Sequence, residues 1–376
     1  MHPGVMVQVP RLSSRRARWA VPAGALVVTG GILAGSLITV AQAAPGLPAR
    51  TPAQLLAQVA DATTPPLTGT VVETASFGLP ALPATGSPTS LASLLTGSHT
   101  VRVWYASPQH FRLSVPQSMS ESDVIRDGGT AWLWQSTLNQ VTKYTLPASA
   151  PASVPGTPLT PGQAARQVLA AVGPTTAVSV SSNVSVAGQA AYALVLTPKD
   201  HRSLVGQVQI DVDASNGVPL RLQVFARGAS SPAFQVGFTA VQFVTPAAAD
   251  LTFTPPAGAK VTQENLSDEE HGQQADTNGV TTIGQDWLTV LKVPAADLTG
   301  NTPPSGASAG ASAGQSTAES ASVLRDLLSA ATPVHGAWGS GRLLRTSLVS
   351  VLITDAGPAY IGAVQPSVLY DAAEHN

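Results

Sequence analysis

Apolar and polar residues alternate with a period of two through long stretches of this chain. Val101, Val103 and Tyr105 alternate with Arg102 and Trp104, and Phe111 and Leu113 flank Arg112. That period places every second side chain on one face, as a strand with one buried side requires. The same pattern predicts strands over 67–77, over 97–116 with a joint at Ser107-Pro108, and over 121–147 as two hairpins. One hairpin turns at Asp127-Gly128-Gly129 and the other near Asn139. Further strands are predicted within 176–198, 204–228, 232–244 and 251–261. Two segments instead carry helical spacing and caps. Thr51 with Pro52 opens a helix that puts Leu55, Leu56 and Val59 on one side, and Thr160, Pro161 and Gln163 open another over 159–174. Many antiparallel strands with two helices make residues 51–262 one α+β unit dominated by a long, curling sheet.

After it, residues 263–277 are polar and acidic without periodicity and read as a linker. A smaller α+β C-terminal domain is predicted over 278–376. It holds a strand pair at 280–294, a helix at 322–333 with Leu324, Leu327 and Leu328 inward, two or three strands at 341–366 and a closing helical turn. The Ala/Gly/Ser tract 303–320 is a low-complexity insertion within it.

The 376 residues allow two domains, and only 11 % are charged, with 33 Gly and 31 Pro suiting a turn-rich β protein. The Arg, Ala, Gly and Pro bias resembles that of high-GC bacterial proteins. Arg11, Arg15, Arg16 and Arg18 precede an apolar run that ends at Ala41–Ala43, so residues 1–43 read as a secretory signal or, over 19–40, as a retained membrane anchor. Arg15-Arg16 opens the twin-arginine route beside the general secretory one. Either way the chain is read as extracytoplasmic. Without 1–43, fifteen basic residues face 21 acidic ones, and no basic run exists to track a phosphate backbone; nucleic acid is not an expected partner. There is no Cys, hence no disulfide, no thiolate metal site and no lipid-bearing cysteine.

Candidate chemistry is thin. Residues 306–310 and 310–314 both spell G-x-S-x-G, but inside the low-complexity tract, where no strand can present a strained nucleophile. Asp211, Asp213, Ser215, Asn216 and Gly217 resemble the opening of a calcium loop, yet Asn216 stands where that loop needs glycine and Leu222 where it needs glutamate. A strand ending in a turn accounts for them. The acidic run around His271 reads as solvated linker. The expectation is a protein that is not an enzyme, with no metal and no cofactor. What remains is a set of same-face apolar residues: Val101, Val103 and Tyr105; Phe111 and Leu113; Trp132 and Trp134; Leu222 and Val224. They either close an ordinary core or line an apolar cavity between curled sheet and helix.

Three stretches carry a family resemblance: "RDGGTAWLWQSTLNQVTKY", "QIDVDASNGVPLRLQVF" and "LTFTPPAGAKV", in this order after the helix "TPAQLLAQVADA" and the strand "LTGTVVETAS". Together they resemble the LolA-like superfamily of extracytoplasmic carriers, which includes the N-terminal domain of RseB/MucB proteins, here as an actinobacterial-type outer membrane lipoprotein carrier protein. The resemblance implies an unclosed antiparallel β-barrel around a helical lid. Its hollow would receive lipid or lipoprotein acyl chains, with the nine apolar residues above as candidate lining. The second domain is similar to RseB organisation, which implies an alternative role as a regulator binding a membrane protein such as an anti-sigma factor.

Overall fold

The alternating stretches become strands in the computed structural model, which describes residues 46–78, 96–146, 157–170, 172–265, 280–294 and 330–375. The signal or anchor segment, the Ala/Gly/Ser tract with its G-x-S-x-G copies, the acidic run around His271 and the helix expected over 322–333 fall wholly or mostly outside those residues. No helix among the described residues is long and apolar enough to cross a membrane.

Eleven strands follow the predicted order: β1 (Leu67–Ser76), β2 (Thr96–Ser107), β3 (His110–Pro116), β4 (Glu121–Asp127), β5 (Thr130–Gln135), β6 (Gln140–Thr145), β7 (Thr176–Val186), β8 (Gln189–Pro198), β9 (Val205–Asp213), β10 (Pro219–Ala226) and β11 (Pro232–Gln242). With β12 (Lys260–Asn265) they form one sheet in the order β12-β6-β5-β4-β3-β2-β1-β11-β10-β9-β8-β7. The two end strands do not meet in a closed ring, yet β7 touches β11, four places away in that order, so this part of the sheet is tightly curled. Bulges at Thr70/Val71 and Ser181/Val184 add local twist that helps a long sheet to bend.

Both predicted helices lie against the inner face. In α1 (Pro52–Asp61) the Thr51 hydroxyl accepts from Gln54 N while the Gln54 side chain accepts from Thr51 N, a reciprocal cap that ties down two free N–H groups. Leu55 and Val59 are buried with the sheet's inner residues, whereas Leu56 is only half-buried. In α2 (Pro161–Ala170) Thr160 and Gln163 repeat the cap, and Ala164 and Ala165 pack inward, with the helix against β10 and β11. At Gly217 the backbone has φ +77°, and a Cβ would lie 2.8 Å from Gln58 Cγ of α1, so glycine is required twice over. Beside it the Asp213 carboxylate accepts from Ser215 N at 2.8 Å and Asn216 N at 3.1 Å, the turn that ends β9.

The stretch 251–261 departs from expectation. It begins at the end of a short helical turn, α3 (Ala248–Leu251), then runs irregularly to Lys260, because Pro255 and Pro256 have no N–H to give a ladder. Only from Lys260 does β12 form, and it pairs parallel with β6, 120 residues earlier in register. Asn139 fixes the junction: its backbone C=O accepts from Lys260 N at 2.9 Å and its side chain donates to Gly258 O at 2.9 Å.

A second sheet holds β13 (Thr281–Ile283), β14 (Val290–Pro294), β15 (Thr332–Gly336), β16 (Gly339–Arg345), β17 (Ser350–Thr354) and β18 (Pro358–Gly362) in the order β13-β14-β18-β17-β16-β15. The helix α4 (Pro366–His375) packs on β17 and β18, burying Leu369 and Ala372 with Val290, Leu352 and Tyr360. From residue 45 onward the chain is one compact unit. Backbone bonds join the sheets: Leu204 N donates to Ala363 O at 2.9 Å and Gln365 N to Arg202 O at 2.7 Å. Trp287 Nε1 donates to Thr176 Oγ1 at 2.8 Å beside them.

Candidate binding site

Register decides which side chains share a face, because residues directly opposite in a ladder point the same way. Val103 faces Leu113, Tyr105 faces Phe111 and Leu67 faces Tyr105. These five therefore converge on the inner side of β1, β2 and β3. The helices do not fill the space in front of them, and a hollow of about 410 Å³ remains. Its volume falls in the range of small-molecule sites, about 300–1,000 Å³. Phe238 of β11 and the Val218-Pro219 turn close the far side, while Thr63 and Thr64 after α1 and the first turn of α2 form the polar mouth. Arg166, one turn into α2, is exposed at that mouth.

Four of the nine residues singled out from the sequence thus meet in the hollow: Val103, Tyr105, Phe111 and Leu113. Three are on the inner face but in filled core. Val101 and Leu222 are buried, and Val224 is half-buried against the same cluster. Trp132 and Trp134 are a correction. Their strand turns Ala131 and Leu133 inward to the core and both indoles outward. The outer side is apolar here because the irregular stretch after α3 crosses it. Phe253 packs on both indoles, with ring centroids 5.7 Å from Trp132 and 6.4 Å from Trp134, and Lys143 Nζ lies 5.2 Å over the Trp132 ring. Ile125 and Val141, fully buried, share that face.

Burial inside the hollow raises the Tyr105 phenol above its ordinary pKa, and the nearby Arg166 guanidinium partly offsets this. Tyr105 is therefore a neutral hydroxyl at physiological pH, and the only formal charge lining the hollow among the described residues is that of Arg166. Among the described residues, no nucleophile with an adjacent base lines it. The arrangement can hold an apolar group, with the Tyr105 hydroxyl inside, and the positive charge and most other polar groups at the mouth.

The chain is matched by solved structures at low sequence identity. Among solved structures it is similar to the MucA/MucB complex of Pseudomonas aeruginosa, at 15 % identity and a TM-score of 0.41, over 86 % of this chain and 96 % of that one. A LolA superfamily protein from Nitrosomonas europaea matches at 12 % identity and a TM-score of 0.22, over 55 % of this chain and 99 % of that one. An uncharacterized conserved protein from Thermus thermophilus matches at 13 % identity and a TM-score of 0.32, over 56 % of this chain and 98 % of that one. No family model and no curated protein matches the chain.

On the outer face of β3 and β4 sits a cluster of charges. Arg112 pairs with Asp123, which is buried, and lies 3.6 Å from Glu121; Ser114 Oγ donates to Glu121 Oε1 at 2.6 Å. Burial first, and the neighbouring Glu121 second, push the Asp123 carboxyl up to about 6, outweighing Arg112. A raised folded pKa stabilises the protein below the unfolded value, 3.8, and that contribution is lost as pH rises through about 6. Wild type is thus expected to lose stability relative to Asp123→Asn between about pH 4 and pH 7. Denaturant midpoints of both proteins across that window check it; a constant difference would contradict the assignment.

Proposed function

We propose that this protein is an extracytoplasmic, non-enzymatic carrier or sensor that takes an acyl chain of a lipid or lipoprotein into the hollow of its larger sheet. One observation carries the reading: Val103, Phe111, Leu113 and Phe238 surround unfilled space that opens at a polar mouth. Apolar space of this size, open at one side, is of the kind that takes up a small ligand. Each methylene buried gains about 0.8 kcal/mol, so a chain of about a dozen contributes on the order of 9 kcal/mol. That exceeds the lower estimates of the association cost, about 4 kcal/mol. Among the described residues, none from 280 onward lines the hollow, which supports assigning the lipid site to the 51–262 region proposed as one domain. The 278–376 region, proposed as a second, smaller domain, packs Trp287, Leu348 and Ala363 against the core of the larger sheet, outside the lining of the hollow.

Native mass spectrometry of protein purified from its own host tests this. The expected spectrum carries one added mass in the range of a lipid or lipopeptide, released by organic solvent. A spectrum of bare protein, with no uptake of a fluorescent fatty acid afterwards, would rule the reading out.

A further inference from the structure

The hollow's shape and its single charge say more about the occupant than that it is apolar. A water molecule occupies about 30 Å³ of liquid and a methylene is of similar size, so the 410 Å³ space holds roughly a dozen methylenes. That is one chain, where a triacylated cysteine would need room for three. No carboxylate is among the described residues lining the hollow, and Arg166 has no ion-pair partner among them. An unpaired guanidinium at the open end of an apolar space is the complement of an amphiphile with one tail and one negative head.

We propose that the hollow binds a single-chain fatty-acid carboxylate of about twelve carbons, its tail against Val103, Phe111 and Leu113 and its carboxylate on Arg166. The inference rests on the hollow being an acyl site, and adds that the ligand is monoacyl and anionic. The guanidinium fork presents paired N–H donors that match both carboxylate oxygens. Thr63, Thr64 and Gln163 supply further polar groups around the mouth. Because Arg166 is exposed, the head contributes selectivity against a neutral head more than it contributes affinity, and salt weakens it.

The test titrates dodecanoate and dodecanol, which share the tail and differ in head charge, into full-length protein stripped of co-purified lipid. Wild type should bind both and favour dodecanoate about fivefold. Arg166→Ala should abolish that preference and leave dodecanol unchanged, and Arg166→Glu should reverse it. About 1 M salt, where the screening length is about 3 Å, should erase the preference in wild type. Equal binding of the two probes by wild type, or an Arg166→Ala protein that retains the preference or weakens both probes alike, would overturn the proposal while leaving the acyl site standing. Binding of neither probe would overturn both.

Discussion

Replacing Arg221 with Met is expected to cost about 3–5 kcal/mol of folding stability. The reason is its partner. Asp211 in β9 is fully buried, and Arg221 Nε in β10 reaches Asp211 Oδ2 at 2.6 Å. Gln209 Nε2 donates to the other oxygen at 2.8 Å. Arg221 itself stays partly exposed, its stem lying over Gly237, where even a Cβ would come within 2.7 Å of Arg221 Cγ. Removing the guanidinium leaves a buried carboxylate with one neutral donor and no countercharge, and desolvation then dominates. An apolar pair at both positions carries no such penalty, so Asp211→Leu with Arg221→Met should recover most of the loss. Urea midpoints of the two single variants and the double variant check it. Additive losses would mean that the two residues act independently and that the ion pair contributes little.

Replacing Trp132 and Trp134 together with Ala should cost about 3 kcal/mol and leave lipid uptake unchanged. Both indoles are half-buried and held against Phe253, so truncation strips packing from the stretch that crosses the outer face. The expected signature is a lower melting temperature with early loosening of 248–265 in hydrogen exchange. A fall in ligand uptake at temperatures where the variant is fully folded would place the tryptophans in the ligand's path after all.

Those tryptophans show where sequence reading stops. Spacing of two says that Trp132 and Trp134 share a face, and it says equally that Ala131 and Leu133 share the other. On size alone the indoles are the better core residues. The choice is made by Phe253, more than a hundred residues later, which reaches the outer face only because Pro255-Pro256 break the expected strand. A parallel pairing such as β12 with β6 likewise leaves no local signature, unlike the hairpin at Gly128-Gly129, whose turn residues announce it. Local features were legible for that reason: the strands with one buried face, and the Thr51 and Thr160 caps. The hollow was half legible. Val103, Tyr105, Phe111 and Leu113 declare a common face through alternation, but whether helices fill the space before that face depends on tertiary distance. Arg166, Leu67 and Phe238 went unselected because each sits in an element whose pattern is equally that of ordinary core or surface.

The most direct measurement of the central claim is fatty-acid uptake by a protein whose hollow has been filled. Leu113→Trp puts an indole into the space in front of β3, where unfilled volume limits the overpacking cost to about 1 kcal/mol. With a fluorescent fatty acid, wild type should show saturable binding at one site per chain. The Leu113→Trp protein, folded by circular dichroism, should show at least a tenfold weaker response, about 1.4 kcal/mol. Equal uptake by the two proteins would contradict the assignment of the hollow as the ligand site.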